Sequence, residues 1–160
     1  MKTSKILMNA AIFFCIALGG VFYFSHRAHG EIHTQELVIV SQNGVKHDFR
    51  VEIAATPQEQ EMGLMFRTKM APNHGMLFEM NRTAPVVFWM KNTLIPLDML
   101  FVAPDGVITH IHANAIPQDL TAIPSGGPVS GVIEINGGRA KALGIAVGDK
   151  VLHPYFNDVK

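Results

Sequence analysis

Apolar and polar residues alternate from Val45 to Ile53, with Val45, His47, Phe49, Val51 and Ile53 set against polar neighbours. A period of two marks a half-buried strand, expected over Val45 to Ala55. A shorter run from Glu36 to Val40 also favours strand. Asn43-Gly44 between the two runs tolerates the positive φ of a tight turn, so they are expected to form a β-hairpin. Thr56-Pro57-Gln58-Glu59 then carries the signals of a helix start: an N-cap threonine, a proline in the first turn and a glutamate that completes a capping box. The helix should run to about Met62 and end at Gly63, which can take a left-handed conformation. Further strands are expected at Gly75 to Met80, Pro85 to Met90, Leu97 to Val102, Val107 to Ala113 and Ser130 to Ile135, with Asp105-Gly106 turning a second hairpin. Residues 116 to 129 hold three prolines and two glycines and suit an exposed loop, and Arg139 to Leu143 suits a short helix after Gly137-Gly138. No repeat or second hydrophobic core interrupts the pattern. The expected fold is α+β and mainly β, a compact barrel-like antiparallel or mixed sheet with one or two short helices, in a single domain over residues 31–160.

The first 30 residues follow a different pattern. Lys2 and Lys5 precede an uncharged apolar run from Ala10 to Phe24, the layout of an n-region and h-region. Ala28 and Gly30 place small side chains where a signal peptidase would need them, so cleavage after Gly30 is one expectation. Counted from Ile6 to Phe24, the apolar stretch is also long enough to stay as an N-terminal membrane anchor, since about 20 helical residues span a bilayer. Both readings put residues 31–160 outside the cytoplasm: periplasmic, held at the inner membrane facing the periplasm, or secreted.

Composition changes the picture once this segment is set apart. The chain's single cysteine, Cys15, lies inside it, and the bulky Phe13-Phe14 pair argues against a lipoprotein site. The remainder has neither disulfides nor thiol chemistry and must be held by an ordinary core. The segment also holds three basic residues and no acids, which leaves the remainder with ten basic and thirteen acidic residues, near −3. A mildly acidic surface with no basic run gives no footprint for nucleic acid.

The densest motifs are Gly63-Leu64-Met65-Phe66-Arg67, Gly75-Met76-Leu77-Phe78, Trp89-Met90-Lys91-Asn92-Thr93 and Pro96-Leu97-Asp98. With Gly106, Glu134-Ile135-Asn136-Gly137-Gly138 and Gly148-Asp149, they resemble the bacterial and archaeal family called domain of unknown function 192, from about Phe49 to Val151. The resemblance implies a single small β-rich domain, often secreted. It implies no catalytic residues and no activity, so candidate chemistry rests on the residues themselves.

Asp98 sits between Leu97 and Met99 in a strand-like run, where a buried carboxylate needs a partner. In one reading it forms a structural ion pair with Lys91 or Arg67. In the other, Arg67, Lys91, Asn92 and Asp98 converge beside Trp89 to bind a small polar ligand or an envelope component. Glu134, between Ile133 and Ile135, is a second candidate; facing Asp98 across a cleft at roughly 5–9 Å, it would make a carboxylate pair for glycoside hydrolysis.

Methionines at 62, 65, 70, 76, 80, 90 and 99, with histidines at 33, 47, 74, 110, 112 and 153, raise a copper-binding alternative. Against it, methionine serves as core filler, and neither a compact methionine repeat nor a helical His-x-x-x-His pair is present. No metal site or other cofactor is expected. No Gly-x-Ser-x-Gly elbow occurs, and Ser125-Gly126-Gly127 suits a turn. The expected role is therefore an exported ligand- or partner-binding or accessory module that meets the membrane only through its N-terminal segment. A hydrolase using Asp98 and Glu134 is the enzymatic alternative.

Overall fold

A computed structural model describes residues 34–157, so the expected signal peptide or membrane anchor of residues 1–30 lies outside the described residues. No helix among the described residues is long and apolar enough to cross a membrane. The first hairpin forms as its alternation predicts: β1 (Thr34–Val40) pairs antiparallel with β2 (Lys46–Ala54) across the Asn43-Gly44 turn, where Gly44 takes φ 85°. Helix α1 (Pro57–Met62) follows with its capping box complete, Glu59 N–H donating to Thr56 Oγ1 and Thr56 N–H to Glu59 Oε2. Gly63 ends it at φ 45° and ψ −133°, outside the left-handed helical region, with the Phe78 ring only 3.1 Å from where a Cβ would stand.

The crossover through α1 lets β3 (His74–Ala84) lie parallel to β2, as a connection of this length allows. Every other strand pairing is antiparallel. Strands β5 (Leu97–Val102), β6 (Ile108–Ala115), β8 (Val129–Asn136) and β9 (Lys150–Leu152) complete a seven-stranded sheet in the order β6-β5-β8-β3-β2-β1-β9. The sheet curls into a half-barrel, and its two ends meet where Val107 bridges Lys150. The mainly β fold is as expected from the sequence. Three short helices are present among the described residues: α1, α2 (Arg139–Leu143) and α3 (Pro154–Asn157).

Two local expectations change. The strand expected over Pro85 to Met90 is reduced to β4 (Val87–Phe88), which pairs with β7 (Ile123–Pro124) inside the segment expected to be loop. Ser125 fixes this small sheet, its N–H donating to Val86 O and its hydroxyl accepting from Val86 N–H. β3 also continues past the expected Met80, through an irregularity between Glu79 and Ala84. The gap this opens beside β8 is filled by Tyr155, whose hydroxyl stands 2.7 Å from both Met80 O and Ser130 O.

The sheet has a hydrophobic core on each face. Leu77, Leu100, Val102, Ile133 and Ile135 pack with Leu37, Phe49, Val51 and Phe156, closed by α2, β9 and α3. Met76, Phe78, Met99, Phe101 and Val132 point the other way, beneath Leu64, Met90, Ile95 and Ile123. Coverage on both faces explains why β5 is buried at all six positions and carries a nearly unbroken apolar run.

Candidate functional site

Register decides where the two candidate carboxyls go. Asp98 pairs with Ile135 and Glu134 with Met99, so Asp98 shares the face of Ile135 while Glu134 shares that of Met99 and Met76. The two carboxyls project from opposite faces of the sheet. This corrects the expected acid and base pair: glycoside hydrolysis needs both carboxyls flanking one bond in one cleft.

Asp98 is fully buried, and its partners are backbone groups rather than Lys91 or Arg67. Oδ1 accepts from Asn114 N–H at 2.8 Å and Gly138 N–H at 2.9 Å, and Oδ2 accepts from Ala140 N–H at 2.8 Å. Asn114 stands at φ 53°, where the β5–β6 register shifts, so its N–H is free to turn to the carboxylate. Gly138 is the N-cap of α2 and has no side chain to cap with, so Asp98 supplies the cap from another strand. The expectation of an ion-paired Asp98 is thereby corrected: the residue is structural, and backbone donors satisfy it.

Arg67 makes a two-pronged ion pair with Glu52, Nη1 to Oε1 at 2.7 Å and Nη2 to Oε2 at 2.5 Å, in a depression it shares with Arg50, Lys69 and His74. It does not join Trp89. Lys91 does, with its ammonium 5.4 Å from the Trp89 ring centroid, and Trp89 is exposed. Asn92 stands nearby at φ 54°, its carbonyl accepting from Phe66 N–H and its side-chain amide 3.8 Å from the Met65 sulfur. Of the expected constellation, Trp89, Lys91 and Asn92 come together, while Arg67 and Asp98 lie elsewhere.

Trp89 and Lys91 border a recess of about 440 Å³ whose walls include Leu64, Met65, Phe78, Met80 and Phe88 and whose buried ionisable member is Glu134. Phe78 and Phe88 meet edge to face at 5.1 Å, which fixes both rings. Glu134 is only 5 % exposed, and burial alone pushes its carboxyl up to about 8; no hydrogen bond or neighbouring charge contributes. Met62, Met65 and Met80 line the recess, and a methionine carries no sequence signal that separates a pocket wall from core filler. Glu134 itself was legible as a candidate, but its surroundings were not.

The loops around the recess are tied together by backbone hydrogen bonds: Phe66 N–H to Asn92 O, Met90 N–H to Asp119 O and Gln118 N–H to Thr93 O. They present Phe66, Trp89, Leu94, Ile116 and Leu120 as exposed large apolar side chains, beside Met62 at the end of α1 and Val87 in β4. Three non-glycine residues with positive φ, Phe66, Asn92 and Gln118, lie in the same loops. Such backbone is costly for a bulky residue such as Phe66 and collects at working sites.

Among the histidines, the His110 ring stacks on Phe101 at 5.5 Å on the side of β6 it shares with His112. No group of three or more His, Cys, Asp or Glu side chains arranged to hold a metal ion occurs among the described residues.

A curled, mainly β domain with a recess around one buried, unpaired acid is the class that this fold and site define. The family model for domain of unknown function 192, described as uncharacterized ACR, matches residues 38–153, and the chain belongs to that family. The chain is similar to the crystal structure of a protein from Sinorhizobium meliloti 1021 named as a candidate transcription regulator, with 46 % identity and a TM-score of 0.74 over 76 % of this chain and 94 % of that one. It is also similar to a crystallised protein of unknown function from Novosphingobium aromaticivorans DSM 12444, with 42 % identity and a TM-score of 0.74 over 84 % of this chain and all of the other. No curated protein matches the chain.

Proposed function

We propose that the protein is an exported cell-envelope module that binds a small molecule in the recess over Glu134. One observation carries the reading: a carboxyl with no internal partner is kept buried at a recess walled by Leu64, Phe78 and Phe88 beneath a polar rim, where its desolvation costs several kcal/mol in the charged form and returns nothing to the fold. An acid held in this way is a ligand contact in waiting. The recess volume lies within the usual size of small-ligand sites, roughly 300–1,000 Å³, and its rim is built from fixed, partly strained loops. A nucleic-acid role, suggested by the name of the Sinorhizobium protein, finds no support in the described helices: they are six, five and four residues long, too short to lie along a major groove.

Ligand-observed NMR of the full chain against a collection of small aromatic and amine compounds tests binding. Hits should be lost in Met65→Trp, which fills the recess from its rim, and kept in Arg67→Ala. Equal loss in both variants, or in neither, would remove the recess as the site. Export is tested separately by joining residues 1–30 to a reporter enzyme that is active only outside the cytoplasm; no reporter activity would end that part of the reading.

A further inference from the structure

Resting on the binding reading above, we propose that the ligand is an organic cation, an amine or quaternary ammonium on an apolar body, whose positive charge is received by Glu134. Around the recess the ionisable side chains are Glu134, Glu61 and Lys91, so acids outnumber bases. Lys91 is already held over the Trp89 ring at 5.4 Å, which shows that this ring face accepts a cation. Phe78 and Phe88 add two further aromatic rings to the wall. The negative faces of aromatic rings and polarizable thioethers favour a positive, weakly hydrated group over a neutral or anionic one. The single buried carboxyl then supplies the full countercharge that rings alone do not.

The charge balance makes the proposal measurable. Burial keeps the Glu134 proton on at neutral pH. An entering ammonium pairs with the carboxylate form, so the O–H bond of Glu134 breaks and its proton goes to the buffer: one proton is released for each cation bound. A neutral ligand that accepts a hydrogen bond from the protonated acid releases none.

The test is calorimetry on the full chain near neutral pH in phosphate and in Tris, which differ in ionisation enthalpy. The probes are 2-phenylethylamine, its trimethylammonium analogue, 2-phenylethanol and 3-phenylpropionate. Both cations are expected to bind about tenfold or more tighter than the alcohol, close to 1.4 kcal/mol, with about one proton released and no binding of the anion. Glu134→Gln, checked for folding by circular dichroism, should lose that tenfold preference while holding the alcohol within about twofold. If the alcohol or the anion binds as well as the cations, or if cation binding releases no proton and survives Glu134→Gln, the cation assignment is overturned and the pocket stands. If no probe binds and Met65→Trp changes nothing in the wider compound collection, the binding reading falls with it.

Discussion

A carboxylate that loses its water must have each lone pair answered, and Asp98 is answered three times by backbone N–H groups from two elements. Asp98→Asn keeps the shape but puts an amide N–H₂ against a backbone donor. It should cost about 2–4 kcal/mol, read by urea denaturation, and should leave ligand binding unchanged in the protein that remains folded. Lost binding with unaltered stability would contradict the structural role. Glu134 behaves in the opposite way because nothing answers it. Its carboxyl sits near the ordinary 4.5 in the unfolded chain and at about 8 in the folded one. Between these values the unfolded state gives up its proton first, so the contribution of Glu134 to stability is full below pH 4.5 and is lost as pH rises to about 8. Glu134→Gln has no proton to lose, and its stability should gain on the parent's by a few kcal/mol, in order of magnitude, across this window. Denaturation curves of both proteins at several pH values check this; parallel profiles would mean that Glu134 is not held in its neutral form.

At the scale of elements, the C-terminal strap of β9 and α3 is the part with a built-in acid sensitivity. His153 is buried; its Nδ1 accepts from Tyr155 N–H at 3.3 Å, leaving Nε2 to donate to Gln35 Oε1 at 3.1 Å, and burial lowers its pKa below the ordinary 6.5. Protonation therefore favours the unfolded or released strap. The contribution is complete above pH 6.5 and is lost as pH falls towards the folded value. Hydrogen exchange at the Tyr155 amide, corrected for its intrinsic rate, should accelerate below pH 6.5 in the parent but not in His153→Gln. Long, periodic elements were legible in the sequence: β5 and α2 have the bounds that their residues suggest, and the capping box of α1 is formed as written. Strands β4, β7 and β9 are two or three residues long, too short to show a period, and exist only because distant partners pair with them. The candidate site was legible in its motifs, since Gly63 to Phe66, Trp89 to Thr93 and Glu134 all border the recess or its rim. Its geometry was not. A slip of one residue between β5 and β8 would have put Asp98 and Glu134 on one face, and no side-chain pattern fixes that register.

Over residues 34–157, the domain is a curled sheet whose free ends are joined at one place, and the Asp105-Gly106 turn does that joining. Beyond reversing the chain between β5 and β6, this turn brings Gly106 O to Val151 N–H at 2.8 Å, while Ile108 N–H reaches Asp149 O at 2.9 Å and Gly148 N–H reaches Ile108 O at 2.8 Å. Asp149 in turn accepts from Gln42 and Ala146 N–H groups, so the seam is anchored to the first hairpin as well. Closure of this kind removes two exposed edges that could otherwise pair with other chains. Gly44 and Gly106 form a natural comparison, because both stand at φ 85° in Asn-Gly or Asp-Gly turns. A Cβ on Gly44 would meet nothing within 4 Å, whereas one on Gly106 would stand 2.6 Å from Val151 O. Gly44→Ala should therefore cost only the left-handed backbone strain, about 1–2 kcal/mol. Gly106→Ala carries the same strain and must also push β9 away, so it should cost at least about 2 kcal/mol more. In hydrogen exchange, Gly44→Ala should affect its own turn, while Gly106→Ala should raise exchange in β6 and β9 together, although 34 residues separate the ends of those strands in the chain. Equal costs for the two substitutions, or increased exchange confined to the 105–106 turn, would show that the half-barrel does not depend on this seam.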